Sequence, residues 1–141
     1  MKSSLTKVIL RSLMGLILVV FGSNMFLHFF PNPPEPPAAV DFFTALFKTG
    51  YFIPMIGATQ VVSGVLLLTG MMVPFALILV APVIVNIFMF HVFLSPGGLP
   101  LALVVVALEV ILAWMYRDAF ASLFSSSVIP VRSTMGARAH A

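Results

Sequence analysis

The stretch from Val8 to Phe30 reads VILRSLMGLILVVFGSNMFLHFF, and Arg11 is its only Lys, Arg, Asp or Glu residue. A helix needs about 20 consecutive apolar residues to cross a hydrocarbon layer ~30 Å thick, and this stretch has that length. Arg11 lies near the start, where a long side chain can carry its charge to the interface. The stretch therefore predicts a first transmembrane helix over residues 8–30.

Three more apolar stretches follow, over about residues 52–69, 74–94 and 101–116, separated by the turn sequences TGMMVP and SPGGLP. Between the first two spans, PNPPEPP is incompatible with a helix because of its prolines. The next segment, AAVDFFTALFKTG, spaces its phenylalanines along one helix face. We expect a short amphipathic helix over about residues 39–49 that lies in the membrane interface.

The composition of the whole chain agrees with a membrane protein. It has 141 residues, of which 61% are hydrophobic and 8% charged, whereas a soluble domain has about 25% charged residues. Four crossings account for most of this length, which predicts a single all-α four-helix membrane domain over residues 1–124 and a flexible basic tail over 125–141. The absence of cysteine excludes disulfides and thiolate nucleophiles.

The placement of cations predicts the orientation in the membrane. Six of the seven Lys and Arg residues flank the two ends of the four-span region, at Lys2, Lys7, Arg11, Arg117, Arg132 and Arg138. By the positive-inside rule both termini are then cytoplasmic. No A-x-A cleavage signature follows the first apolar run, so we expect that run to be retained. These features predict a multi-pass membrane protein with the proline-rich loop facing outward.

Asparagine and histidine recur in two matching settings. LILVVFGSNMFLHFFP holds Asn24 and His28, and LILVAPVIVNIFMFHVFLSP holds Asn86 and His91. We interpret the similarity of the two segments as either shared composition or the duplication of a two-helix hairpin. Asn24 and His28 are four apart and share a helix face, whereas Asn86 and His91 are five apart. This spacing, together with Pro82, predicts a kink and an irregular stretch between Pro82 and His91.

Two polar residues are predicted near the membrane midplane. Gln60 shares a helix stripe with Gly57 and Gly64, which predicts that its amide faces the bundle. Glu109 lies among small residues of the fourth span, and a charged carboxylate at that depth costs at least ~2.5 kcal/mol. Glu109 is therefore a candidate proton acceptor that is uncharged or hydrogen-bonded.

The order of small residues in two of the spans resembles the DoxX family of small four-helix bacterial membrane proteins. The residues that carry the resemblance are Arg11, Gly15, Gly22, Gly64, Leu67 and Gly70. It covers about residues 8–120. Where that family often has Lys in the first span this chain has Met25, and where it often has an acid in the second span this chain has Gln60. We interpret the two departures as the joint loss of an ion pair.

The resemblance implies a bacterial inner-membrane protein that is a partner of a redox system, since several members of the family have that role and one is linked to quinone. We therefore expect an outward-facing intramembrane pocket for a small, quinone-like amphiphile, held by Asn24, His28, Gln60, Asn86 and His91, with Glu109 as the proton acceptor. The sequence leaves open whether its protein partner is a redox protein or a second copy of the chain. Nucleic acid is not an expected partner.

Three alternatives remain. His28 and His91, near the outer ends of parallel helices, are alternatively axial ligands of a b-type haem, and no other metal site is predicted. The sparse polar content also fits a non-catalytic scaffold or assembly partner. Transport is the least favoured, because no polar route continues through the cytoplasmic half.

Overall fold

A computed structural model describes residues 2–31 and 34–121 of the chain, and these form α1 (Lys2–Leu27), α2 (Pro37–Lys48), α3 (Phe52–Thr69), α4 (Val73–Phe93), α5 (Leu99–Met115) and α6 (Arg117–Ala121). A 3-10 turn at Pro96–Gly98 precedes α5. Four helical segments are long and apolar enough to cross a membrane: Ser4–Leu27, Phe52–Thr69, Val73–Phe93 and Pro96–Met115. The described part of the chain is thus the predicted all-α four-helix membrane bundle. The predicted tail over 125–141 lies outside the described residues.

The four long helices form a closed ring. Helix α1 packs against α3 and α5, and α4 packs against the same two helices. The turns from α3 to α4 and from α4 to α5 are short and contain glycine, and α2 lies in the longer connection from α1 to α3. At the end of α3, for example, Gly70 adopts a left-handed φ of 75° and donates its N–H to the Leu66 carbonyl, as expected of a glycine that ends a helix.

Two glycine pairs hold α1 against α3. A Cβ added to Gly64 would lie 2.7 Å from the Gly15 carbonyl oxygen, and one added to Gly22 would lie 2.9 Å from that of Gly57. The pairing of 15 with 64 and 22 with 57 shows that the two helices are antiparallel. Each pair lets the two backbones approach more closely than any side chain would permit.

Arg11 caps the C-terminal end of α3. Its Nη1 donates to the Leu67 and Leu68 carbonyls at 2.6 and 3.0 Å. These carbonyls have no partner within α3 because they belong to its last turn. The cation also stabilises the negative end of the helix dipole.

The helix bounds agree with the predicted spans, with one difference that affects the site. Helix α1 ends at Leu27, and His28 adopts a left-handed φ of 50°. The prediction extended this helix to Phe30 because the residues stay apolar. Hydrophobicity alone does not mark the end, since the residues that follow are phenylalanines whose side chains suit either helix or loop.

The predicted irregular stretch in the third span is wrong. Val73–Phe93 is one continuous α-helix that contains Pro82. A proline removes one backbone hydrogen bond, but neighbouring helices support a transmembrane helix around such a site. The spacing of five between Asn86 and His91 therefore needs no bulge.

One half of the bundle is tightly packed. The apolar core joins the middle of α1, the last turn of α3, residues 73–84 of α4 and residues 105–112 of α5; its buried members are Met14, Leu18, Leu67, Val73, Ala76, Leu77, Val80, Ile84, Val105, Leu108 and Leu112. We call this the packed end. The opposite half, which we call the cavity end, contains the last turns of α1 and α4 and the first turns of α3 and α5.

Candidate functional site

A cavity of about 560 Å³ occupies the cavity end and extends under α2. Its wall is mostly apolar, and seven polar side chains interrupt it: Asn24, His28, Glu35, Thr44, Gln60, Asn86 and His91. The five predicted ligand-binding residues are all in this set, although they come from three different helices and the end of α1. A smaller neighbouring cavity of about 210 Å³ shares five lining residues with it: Met25, His28, Leu46, Phe47 and Ile53.

Helix α2 covers one side of the cavity through aromatic contacts. The Phe42 and Phe43 rings lie 5.6 and 4.9 Å from the Phe90 ring, measured between centroids. Ala39 of the same helix is completely buried. The amphipathic helix predicted from the phenylalanine spacing thus turns its apolar face to α4, and its aromatic side chains form part of the cavity wall.

Gln60 is the most deeply buried polar residue in the wall. It is 2% exposed and lies beside Gly22, where an added Cβ would come within 2.8 Å of the Gln60 Cβ. Its amide makes no hydrogen bond to any described residue, and Oε1 is fully enclosed. A buried amide without a partner costs roughly 1–3 kcal/mol. The sequence predicted that this amide faces the bundle, and it does.

His91 is held in one orientation at the cavity wall. Its Nδ1 donates to the Ser95 carbonyl at 2.9 Å, because a carbonyl oxygen can only accept. In an uncharged imidazole this leaves Nε2 as the acceptor. Gly98 is necessary here, since any Cβ at that position would overlap the His91 ring. The packing of the ring against Phe90 restricts it further.

Asn24 and His28 together form the end of α1. The Asn24 carbonyl accepts from the His28 N–H at 2.9 Å, and its side-chain Oδ1 accepts from the Phe30 N–H at 2.8 Å. A left-handed residue after a helix is usually glycine, and histidine is one of the residues that tolerates the position. Asn24 thus has a structural role in addition to its place in the cavity wall.

Asn86 lies at an edge of the cavity and is exposed. Residues 83, 86, 87, 90 and 91 of α4 all line the cavity. Their spacings of three and four define one helix face. Asn86 and His91 therefore lie on opposite borders of a single broad face, which explains how a regular helix brings both to one cavity.

Glu109 is not among the residues that line the cavity. The α5 residues in the wall are Leu101, Ala102 and Val105, and Glu109 lies one turn further toward the packed end. Its Oε2 is buried and has no hydrogen-bond partner among the described residues. The structure therefore separates Glu109 from the other predicted site residues, and its role as a proton acceptor stays a prediction.

Two hydroxyls of α3 behave differently. The Thr59 hydroxyl donates to the Met55 carbonyl at 2.9 Å, as serine and threonine hydroxyls commonly do within helices. Ser63 would be expected to do the same, but its Oγ is buried and has no partner among the described residues. Ser63 lies outside the cavity wall.

Glu35 is a residue of the cavity wall that the sequence analysis missed. It comes from the proline-rich loop, and its Oε2 is buried without a hydrogen-bond partner among the described residues. The available signal was its isolation, since it is the one acid between the first span and Asp41. Nothing in the sequence indicates that this loop folds back over the helices.

Metal ligation has limited support in the described part of the chain. No group of three or more His, Cys, Asp or Glu side chains there could hold a metal ion. His28 and His91 line the same cavity, so the haem hypothesis, which needs only two ligands, stays a prediction.

The motif residues shared with the DoxX family have structural explanations in this fold. Gly15, Gly22 and Gly64 permit the close packing of α1 on α3, and Arg11 caps α3 beside Gly70. Any tight antiparallel helix pair could use such residues, so they do not identify a family by themselves. Comparison of the chain with protein-family models, with curated proteins and with solved structures found no match.

Proposed function

We propose that this membrane protein binds a small, quinone-like amphiphile in the cavity at the cavity end of the bundle. Pockets for small molecules typically enclose about 300–1,000 Å³ and combine apolar walls with a few polar groups. The cavity of about 560 Å³ matches this description. Its aromatic residues, including Phe42, Phe43 and Phe90, provide flat apolar surface for a ring.

The observation that carries the proposal is the unpartnered amide of Gln60. Buried polar groups in folded proteins nearly always have a hydrogen-bond partner. Gln60 is 2% exposed, lines the cavity and has none among the described residues. A polar ligand head group in the cavity would remove this deficit, and its apolar part would contact the surrounding side chains.

Two further parts of the proposal rest on the sequence. The distribution of cations favours a cavity that opens to the outer side of the membrane. The resemblance to the DoxX family favours a quinone and a redox partner. The alternative is a scaffold without a ligand, which would leave the cavity to lipid chains and water.

Titration of a fluorescent quinone analogue against the purified full-length protein in nanodiscs tests ligand binding. We expect saturable binding that Ala102→Phe abolishes, because Ala102 is 2% exposed and lines the cavity. Ala107→Phe adds the same volume at an exposed position of the same helix and should bind like the wild type. Equal signals from the two variants would mean that the probe only partitions into lipid, and the scaffold alternative would replace the proposal.

The same titration decides the role of Glu109 in binding. Because Glu109 is outside the cavity wall, we expect Glu109→Gln to change the affinity by less than about twofold, well below the effect of losing a hydrogen bond to a charged group. A loss of binding would place the carboxyl in the site after all. An absorption spectrum of the same preparation would show a Soret band if haem were bound.

A further inference from the structure

Resting on the proposed function, we infer that α2 is a movable lid on the cavity and that an aromatic cluster of Phe42, Phe43 and Phe90 holds it closed. We call this cluster the latch. The ligand enters and leaves when the rings of the latch separate, and it is enclosed when they meet. Three properties of α2 lead to this inference: the contacts that hold it, the space beneath it and its connection to α3.

Apolar contacts alone hold α2 against the bundle. The Phe42 and Phe43 rings lie 5.6 and 4.9 Å from the Phe90 ring, and Ala39 is completely buried. Among the described residues, no hydrogen bond or salt bridge joins residues 37–48 to another membrane helix. Lipid chains can replace apolar contacts of this kind, so their separation costs little beyond the packing of the rings.

Cavities lie beneath α2 in place of packed core. Six of its residues line the cavity of about 560 Å³: Val40, Phe42, Phe43, Thr44, Leu46 and Phe47. The last two also line the neighbouring cavity of about 210 Å³, which extends to Gly50 and Pro54. No residue of α2 belongs to the buried apolar cluster of the described chain. Lifting α2 therefore leaves intact the core that holds the four membrane helices together.

The connection from α2 to α3 contains a hinge. Only residues 49–51 separate the two helices, and Gly50 among them has a left-handed φ of 75°. No atom lies within 4 Å of a Cβ added to Gly50, so neighbouring side chains do not restrict its backbone. Hinges are typically a few such residues at the ends of helices. A change of backbone angles at Gly50 would swing α2 while α3 stays in place.

Two other sides of the cavity end are less able to open. The backbones of Gly22 and Gly57 hold α1 close to α3. A short turn joins α4 to α5, and Gly98 of this turn lies against the His91 ring. A route between α1 and α5 is the alternative to the lid, and the experiments below distinguish the two.

Thiol reactivity measures the movement of α2 without a ligand. The chain has no cysteine, so Ala39→Cys and Ala45→Cys each place one thiol on α2, at a completely buried and at an exposed position. We expect N-ethylmaleimide to label position 39 about tenfold or more slowly than position 45, because labelling at 39 requires local opening. Adding Phe90→Leu should accelerate labelling at 39 by about threefold or more, because it removes the shared ring of the latch.

Two controls accompany this measurement. Phe75→Leu changes an exposed phenylalanine of the same helix outside the cavity wall, and it should leave the labelling rate at position 39 unchanged. Ala76→Cys places the thiol at a completely buried position of the packed end, where labelling reports unfolding of the whole bundle. An unchanged rate at position 39 in Phe90→Leu, or equal acceleration at position 76, would overturn the lid.

A reversible cross-link tests whether the ligand passes under α2. A short bis-methanethiosulfonate joins the two thiols of Phe42→Cys/Phe90→Cys in the full-length protein in nanodiscs, and dithiothreitol removes the bridge. We expect the bridge to slow association and dissociation of the fluorescent quinone analogue by about tenfold or more, and reduction to restore both rates. The monofunctional reagent modifies both thiols of the same variant without joining them, and it should not slow the rates.

The outcomes separate the lid from the proposed function. If the analogue binds the wild type no better than Ala102→Phe, the proposed function fails, whereas accelerated labelling of position 39 would still show that α2 moves. If the analogue binds saturably but the bridge leaves both rates unchanged, the cavity is a ligand site that is entered between the membrane helices, and the lid is wrong.

Discussion

At the residue scale, the polar side chains predicted for the site differ in whether they have a hydrogen-bond partner. Asn24 and His91 are each tied to the backbone by a hydrogen bond. Gln60 and Glu109 are not, among the described residues, although both belong to membrane-spanning helices. Gln60 lines a cavity that a ligand can enter, whereas Glu109 does not. We therefore expect a ligand to supply the missing hydrogen bond of Gln60 but not that of Glu109.

Glu109 should destabilise the isolated chain. Replacing a buried polar group that has no partner with an apolar group of similar shape removes a desolvation penalty, so Glu109→Met should raise the free energy of unfolding by about 1 kcal/mol. The measurement is the midpoint of unfolding of the purified protein in detergent, followed by helical circular dichroism. A lower midpoint would show that the carboxyl has a partner in the assembled protein, such as a second copy of the chain.

At the element scale, the contact of α1 with α3 organises the bundle. The two glycine pairs and the Arg11 cap act on the same helix pair. Their effect is to place Gln60 between two helices at the floor of the cavity. Close approach of two backbones depends on the absence of Cβ atoms, so the contact is sensitive to the smallest side chain.

Gly64→Ala should destabilise the protein by about 2 kcal/mol, the typical cost of overpacking a tight contact. The new Cβ would lie 2.7 Å from the Gly15 carbonyl oxygen. Gly97→Ala is the matched control, because no atom lies within 4 Å of a Cβ added there. Unfolding midpoints in detergent compare the two variants, and similar midpoints would contradict the role of the glycine pairs.

The pair of Met25 and Gln60 can be tested as a lost ion pair. Both residues line the cavity. Gln60→Glu and Met25→Lys should each lower the unfolding midpoint, because each buries one charge without its counterion. The double variant should recover most of the loss. A double-mutant cycle measures the coupling, and strictly additive effects would end this hypothesis.

At the scale of the whole molecule, the bundle is packed at one end and hollow at the other. The buried apolar cluster fills the packed end, and the seven polar residues of the wall lie at the cavity end. The cavity ends within the bundle, and among the described residues the polar side chains of its wall do not continue into the packed end. The aromatic contacts of α2 with Phe90 partly cover the cavity.

The cations predict that the cavity end faces outward, and labelling can measure this orientation. The chain has no cysteine, so Lys48→Cys near the cavity end and Asp118→Cys at the packed end each introduce a single thiol. The Asp118 side chain is 95% exposed. In intact bacterial cells a membrane-impermeant maleimide should label position 48, and it should label position 118 only after permeabilisation. The reverse pattern would place the cavity on the cytoplasmic side.

The sequence by itself determined the membrane class, the four spans and the presence of a short helix, α2, between the first two spans. These features are local: apolar length sets a membrane helix, and proline and glycine set the turns. It also identified the five polar residues that now share a cavity. That succeeded because asparagine, histidine and glutamine are rare in membrane helices and usually face other helices.

Only the tertiary structure decided how these residues are grouped. The position at which α1 ends depends on a backbone turn at His28. Glu109 is excluded from the cavity wall because its turn of α5 lies beside the apolar core. Glu35 enters the wall because the residues just before α2 lie against the bundle. Each of these facts arises from helix rotation and from contacts between distant segments, and a helical repeat of 3.6 residues does not encode either of them.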